Sequence, residues 1–533
     1  MRVQTTSKIA DFAASAVLIF TGAVSLVYPA LVLVVRSVSA GRASSVSVFS
    51  IWRAVFWSVL DSAVVASVAV LVAAVLAVVV RGLPLRLGRV FDVLLIAPAT
   101  VSPFVVSSAL SVGFGREGLW EMGATSPFTG AVAVLGAFTV ALGPFAYALL
   151  RISVSTVHPG LIDTYRVLGV SEWKILRNAA WPKVRRAIPI AWMVVFVLAI
   201  SDPVVPSLLA SPHPNAARSV WILATAVGDT TGAARLSVCL LVATFAVGGA
   251  AFLLSRPRGV LETFSMHSQA SSRYSLSQPV GVPIAPRLLL VAFASIFTFL
   301  PFLLMLLTAD EIRPESFAQL LSTALTIALL TIAGSVLIAG SGLWFKARRP
   351  HSHAIDILFG LALVVPGAST GTGLSLAYGP SSPISTLIPA PAQSAGSTLL
   401  IVIAYLTLSA PLTYMSARVY GRVFPKRDFE TSLMLGATPL RATLMAMQAW
   451  LRRSVVLSFT IVLAVSAVSV APIMWVTSPT TPLLVPYLYQ LLDRTQFQTA
   501  FALALTVSGA TMVLIFISAL MLRLKPIRVG GRL

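Results

Sequence analysis

Uncharged apolar runs of about 20 residues recur from one end of this chain to the other, and they restrict its fold more than any other feature. A helix rises about 1.5 Å per residue, so such a run spans the roughly 30 Å of hydrocarbon in a bilayer. The bilayer interior offers no water to backbone N–H and C=O groups, so a crossing chain must be helical or a closed barrel. A barrel requires alternating strands of about 10 residues, and the runs here do not alternate. The pattern therefore predicts an all-α polytopic membrane protein. Only 10% of its 533 residues are charged, against roughly 25% in soluble domains. The runs predict twelve transmembrane helices, near 12–35, 58–80, 91–113, 128–150, 184–206 and 236–255, then 287–307, 317–345, 355–378, 397–417, 454–476 and 499–522.

The net charge of +21 raises nucleic acid or anionic lipid as partners. The positions of the basic residues favour a different cause. With the N-terminus in the cytoplasm, 30 of the 38 Lys and Arg fall on inside segments and 8 outside. Basic residues in short loops resist translocation and set orientation. The excess is thus an orientation signal, with both termini cytoplasmic, a lipid bilayer as the surroundings and no nucleic-acid partner. The single cysteine, Cys239, permits no intrachain disulfide.

The chain also repeats itself. Asp163-Thr164-Tyr165 is followed after three residues by Gly169, and Glu430-Thr431-Ser432 after three residues by Gly436; both landmarks are 267 positions apart. Asp92-Val93-Leu94-Leu95 opens the third span and Asp356-Ile357-Leu358-Phe359 the ninth. Each of these aspartates is expected to cap a cytoplasmic helix start. Six spans per repeat, an even number, give both halves the same orientation about a pseudo-twofold along the membrane normal. The reading is a first domain at 1–255 with its loop at 158–183, a linker at 256–286 rich in Ser, Pro and Gln, and a second domain at 287–533 with its loop at 424–452.

Within each loop, Gly169 or Gly436 is expected to separate two short helices by a sharp turn. Ser171 and Thr438 suit the N-cap of the following helix, and Glu172 and Pro439 its first position. Leu161, Tyr165 and Leu168 share helical spacing before the turn, and Lys174 and Arg177 follow it. A basic, amphipathic projection of this kind suits a groove in a cytoplasmic protein. Lipid headgroups could hold one such helix at the interface, but they give no reason for two with matched Gly and cap spacing.

These loops resemble the EAA loop of ABC-importer permeases, whose pattern is Glu-Ala-Ala, three residues, Gly, nine residues, then Ile-x-Leu-Pro. Asp163, Gly169 and Pro182 fall on that pattern in the first copy, and Glu430 and Gly436 in the second, where Ala446, Gln448 and Ala449 replace its end. The fused double-length layout is similar to the iron(III)/thiamine group of type I permeases. Leu110 to Gly118 and Ala180-Trp181-Pro182 are similar to thiamine-type segments, and Asp202 to Leu209 to polyamine-type ones.

The resemblance implies a multi-pass protein of the bacterial plasma membrane with two separate cytoplasmic ABC ATPase subunits, each gripping one loop. ATP and magnesium would be bound there, and this chain would hold no cofactor. Asp163, Tyr165, Gly169, Ser171 and Pro182, with Glu430, Gly436 and Thr438, would form the ATPase-coupling loops. An extracytoplasmic substrate-binding protein would deliver cargo to the outer segments 207–235 and 379–396, with iron(III) first among cargos, then thiamine and polyamine.

The residues agree that this chain is no enzyme. No Gly-x-x-x-x-Gly-Lys-Ser/Thr phosphate cradle occurs, and no nucleophile motif or catalytic carboxylate pair. His213, His351 and His353 lack the spacing of a metal site. Asp61 and Asp202 are the candidate pathway carboxylates, since acids within spans are costly and often functional. Both are placed near membrane interfaces, where capping is the alternative. A 6+6 ion-coupled secondary transporter is the rival class, but it would need titratable groups near the midplane.

Overall fold

The computed structural model describes residues 2–38, 47–115, 118–120, 128, 130–155, 157, 159–209, 213–255, 284–309, 314–349, 351–379, 382, 398–422, 426–468, 470–477 and 483–523. Most of the expected linker 256–286 and of the outer segment 379–396 lies outside them. No strand occurs among the described residues. Nine of their helices are long and apolar enough to cross a membrane, or eleven if each of two bent helix pairs is one span.

The first half begins with α1 (Ile9–Val38) and α2 (Val48–Arg81). Then come α3 (Leu85–Ile96), α4 (Pro103–Phe114), α5 (Gly130–Ser155), α6 (Pro159–Val167) and α7 (Glu172–Ile175). It closes with α8 (Trp181–Ser201), α9 (Val204–Leu208), α10 (Ala216–Ile222) and α11 (Thr230–Ser255). The second half repeats the order with α12 (Ile284–Thr308), α13 (Pro314–Arg348), α14 (Ala354–Ala362), α15 (Gly367–Tyr378) and α16 (Thr398–Arg422). It ends with α17 (Lys426–Met434), α18 (Pro439–Val468), α19 (Leu484–Asp493) and α20 (Phe497–Arg523).

Each half is built round three mutually packed helices: α2, α5 and α8 in the first, α13, α16 and α18 in the second. Sequence explains the closeness. Along α2 the buried positions Ala54, Ser58, Ser62, Ala66, Ala69, Ala73 and Ala77 form one stripe of small residues. Lipid is as apolar as leucine, so helices in a bilayer associate where small side chains let backbones approach.

The halves also exchange their first helices. Helix α1 packs on α13, α14 and α15 of the second half, and α12 packs on α2, α3 and α4 of the first. Polar anchors pin each crossing helix. Asp11 accepts bonds from Trp344 Nε1 at 2.8 Å and Arg348 Nη2 at 3.3 Å. Arg287 Nη1 donates to the Gly82 carbonyl at 3.2 Å. A side chain at Gly82 would meet that guanidinium at 2.5 Å, so the arginine would have to shift to admit one.

The third and ninth spans bend where prolines break them: α3 and α4 meet at 99°, and α14 and α15 at 105°. Proline lacks an N–H and forces the preceding residue to extend. Pro98 sits in the 3-10 turn Ala97–Thr100, Pro103 starts α4, and Pro366 caps α15. One expected span is corrected: 454–476 belongs to a helix that starts at Pro439 and ends at Val468.

The expected helix start at Asp92 is also corrected, whereas Asp356 does lie in the first turn of α14. Asp92 lies well inside α3 and accepts Tyr147 OH at 2.5 Å and Arg151 Nε at 2.7 Å. Asp356 accepts Tyr414 OH at 2.7 Å and Lys346 Nζ at 2.8 Å, with Arg418 Nε at 3.0 Å. Charged partners on neighbouring helices outcompete the weak dipole of a helix end.

Close approach also fixes the bent pair of the second half. A Cβ on Gly371 would lie 2.7 Å from the Trp475 ring and 2.9 Å from Pro472. Gly371→Val should therefore cost about 1–3 kcal/mol through overpacking, read as a lower unfolding midpoint in detergent. Gly509→Ala, with nothing within 4 Å of the added atom, should leave that midpoint within about 0.5 kcal/mol of the parent. Equal midpoints for the two variants would contradict this packing.

Candidate functional site

The two repeated loops have the same backbone design. In the first, α6 ends when Gly169 N–H bonds to the Arg166 carbonyl at 2.9 Å and Val170 N–H to that of Tyr165 at 3.0 Å. In the second, α17 ends when Gly436 N–H bonds to the Leu433 carbonyl at 3.0 Å and Ala437 N–H to that of Ser432 at 3.0 Å. This pair of bonds is the Schellman closure of a helix, which needs a left-handed residue after the C-cap. Gly169 and Gly436 supply it, with φ of 69° and 82°.

Beyond the turn the loops diverge. In the first, α7 is a single turn, then a π segment, Leu176–Ala180, leads into α8. Pro182, at the second position of α8, cannot donate to an i−4 carbonyl, and the wider π turn accommodates that loss. In the second loop, where Ala446, Gln448 and Ala449 stand instead, α18 runs unbroken from Pro439. The expected pair of short helices is thus one short helix and the start of a long one. Without a proline at the exit, nothing interrupts the helix.

The first loop carries its own small core: Val157, Ile175 and Ala179, with Ile162, Tyr165 and Val170 packed against them. Tyr165 therefore faces inward and locks α6 onto α7. Asp163 is exposed and sits 3.8 Å from Arg166, one turn on. Ser171 is exposed ahead of α7, and Glu430 is exposed on α17. Thr438 Oγ1 accepts the Arg441 N–H at 3.4 Å, as expected of an N-cap.

The most exposed apolar groups of both loops sit at the tips. Val167 and Leu168 are 87% and 70% exposed, and Met434 and Leu435 are 89% and 81% exposed. Of these four, sequence reasoning identified only Leu168. The available signal was two apolar residues directly before the glycine in both copies. Exposed apolar side chains grouped in this way are a feature that marks interaction surfaces.

The candidate carboxylates lie elsewhere. Asp61 is thirteen residues inside α2 rather than near its start, because that helix extends back to Val48. It lies about 30 Å along the helix from Arg81, and His213 Nε2 is 2.9 Å from its Oδ2. Trp57 packs edge-on against that histidine, with centroids 4.9 Å apart. Asp202 is buried, and its Oδ1 accepts the N–H groups of Val204 at 2.7 Å and Val205 at 3.3 Å, which starts α9. Among the described residues no group of three or more His, Cys, Asp and Glu could hold a metal ion.

Residues 69–258 match the family model described as binding-protein-dependent transport system inner membrane component. The match runs from within α2 past α11 and contains the whole first loop. No curated protein matches the chain. The match covers less than half of the chain; with the many apolar helices it supports a multi-pass membrane protein whose first half carries a permease domain of an importer.

The glycine turns generate a direct expectation. Nothing lies within 4 Å of a Cβ added at Gly169 or Gly436, so only backbone strain opposes substitution. Valine there should cost about 1–2 kcal/mol, and asparagine less. Amide hydrogen exchange should accelerate at 168–170 and 435–437 in the valine variants. Parent-like protection would contradict the left-handed geometry.

Proposed function

We propose that this chain is the complete translocation pathway of an ABC importer, with its two halves, 1–255 and 287–533, fused in one polypeptide. The observation that carries the proposal is the pair of glycine-closed projections, 267 residues apart, each leading from one three-helix bundle and ending in bare apolar residues. The family match covers the first of the two.

In this reading both loops and both termini face the cytoplasm, and each loop seats in a separate ATPase subunit. ATP and magnesium bind between those subunits, and this chain holds neither. Closure of the ATPases on ATP swings the two projections. Helices α8 and α18, which continue directly from them, carry that swing into the bundles. The pathway between the halves then opens alternately to each side.

Cargo arrives from an extracytoplasmic binding protein that docks on the outer segments. Iron(III) stands first as cargo, on the likeness of the double-length layout to the iron(III)/thiamine group, then thiamine, on Leu110 to Gly118 and Ala180-Trp181-Pro182, and a polyamine, on Asp202 to Leu209. Any metal would be held by the binding protein's ligands during delivery. Asp61 and Asp202 remain the carboxylates proposed for the pathway, Asp61 as a half-buried group well inside α2 and Asp202 as a buried group at the end of α8.

The test is co-purification with the ATPase, followed by uptake in proteoliposomes. Leu168→Asp combined with Leu435→Asp places carboxylates where apolar contacts are needed. Loss of such contacts costs about 1.4 kcal/mol or more each, so ATPase recovery should fall about 10-fold or further while membrane insertion stays intact. The parent complex should import cargo with ATP in the presence of a protonophore. ATP-independent uptake, or full ATPase recovery with the double variant, would contradict the proposal.

A further inference from the structure

Two ion clusters, the first half-buried and the second buried, recur at matching places in the halves, and the loops alone do not account for them. In the first half, Tyr147 and Arg151 lie one helical turn apart on α5 and both reach Asp92 on α3. Arg151 is bidentate, with Nη2 also donating to Asp92 Oδ2 at 3.0 Å. In the second half Tyr414 and Arg418, again four residues apart, converge on Asp356 of α14. The Tyr and Arg pairs are separated by the same 267 positions as the loops.

A third helix joins each cluster. Lys346, at the end of α13, is wholly buried between Asp356 and the Ser352 carbonyl. Gly421 on α16 makes room for it, since a side chain there would meet Lys346 Cβ at 2.7 Å. Arg81, at the end of α2, reaches the Val157 carbonyl at 3.5 Å. Val157 belongs to the small core of the first loop. Ser153 Oγ, two residues beyond Arg151, donates to the Lys183 carbonyl at 2.9 Å and ties α5 to α8.

Each cluster therefore stands at one junction: the inner arm of a bent helix pair meets the helix that runs into a projecting loop. The other arm of the second pair reaches across to the opposite half. Gly367 N–H donates to Ser201 Oγ at 2.9 Å, and Ser369 Oγ to the Ser237 carbonyl at 2.9 Å. Ser201 ends α8, directly downstream of the first loop.

Stability alone is a poor reason for this arrangement. Desolvation of buried charges largely offsets their attraction, and apolar residues of similar volume hold helices at least as well. What bidentate, charge-assisted bonds add is fixed geometry. Apolar faces can slide over each other, whereas a carboxylate gripped by a tyrosine and an arginine resists both slip and rotation.

We propose that Asp92 and Asp356 are positioning residues that lock the inner arms α3 and α14 to α5 and α16, so each bent pair moves as one body with its loop. This rests on the importer reading above and adds the route by which loop motion reaches the interface between the halves.

The test uses the whole chain with its ATPase subunits in nanodiscs and Cys239 replaced by Ser. Spin labels at Leu168 and Leu435 report the tips, and labels at the exposed Val93 and Ile357 report the inner arms. In the parent both distances should shift on ATP binding. In the Asp92→Asn plus Asp356→Asn variant, the tip distance should still shift while the arm distance does not. Cargo imported per ATP hydrolysed should then fall about 3- to 30-fold, the range by which residues along coupling networks modulate linkage. A purely stabilising role would lower the yield and leave this ratio unchanged. Should the asparagine variant not fold, Tyr147→Phe with Tyr414→Phe keeps the ion pairs, and a smaller fall in the same ratio is expected. Arm and tip shifts equal to the parent's, with an unchanged ratio, would overturn the proposal. Tips that ignore nucleotide in the parent would instead overturn the importer reading and this proposal with it.

Discussion

Everything in this fold follows from the requirement that backbone polar groups in hydrocarbon find partners within the protein. Most of the chain meets it by continuous helix. Where the chain breaks, at 97–102 and 363–366, the freed groups must be covered. At the first break Ala97, Pro98, Thr100, Val101 and Ser102 are all buried, and Thr100 Oγ1 is 2.5 Å from Ser508 Oγ of the opposite half. At the second, the Gly367 N–H finds Ser201 of the opposite half. Broken helices are tolerated here because the other half covers them. The interface between halves is therefore where the backbone can afford irregular structure.

The exchange of α1 and α12 makes that cover durable. Each crossing helix lies against the bent pair of the other half, and each is pinned by a polar anchor at its start, Asp11 in one case and Arg287 in the other. The contacts of α1 with the second half have counterparts in those of α12 with the first. In the proposed importer, two bundles related in this way would rock against each other without exposing the helix breaks to lipid, and loops projecting from equivalent helices would carry equivalent pushes from the two ATPase subunits.

Much of this was legible in the residues. Apolar run length located the spans because hydrocarbon thickness leaves little choice of helix length. The 267-residue offset pointed to a duplication, and the lone glycines at 169 and 436 marked turns whose φ values no other residue adopts cheaply. The bends near Pro103 and Pro366 were visible only as helix-breaking residues, since a proline permits a kink but does not set its angle. The partners of Asp92 and Asp356, Tyr147 and Tyr414, were not legible because they lie more than fifty residues away in sequence. Exposure of Val167 depends on which face of α6 turns inward, and that is decided by a local core around Val157 and Ile175, while α17, which carries Met434 and leads to Leu435, packs on α18. The small-residue stripe on α2 was written in the sequence, but its partners were not.

The account stands on both glycine-closed projections lying on the same, cytoplasmic, side of the membrane. Single cysteines placed at Leu168 and at Leu435, in a chain lacking Cys239, measure this directly when treated with a membrane-impermeant thiol reagent. Both sites should react in inside-out vesicles and stay protected in right-side-out ones. Reaction of the two sites from opposite faces would contradict the parallel arrangement of the halves and the shared drive that depends on it.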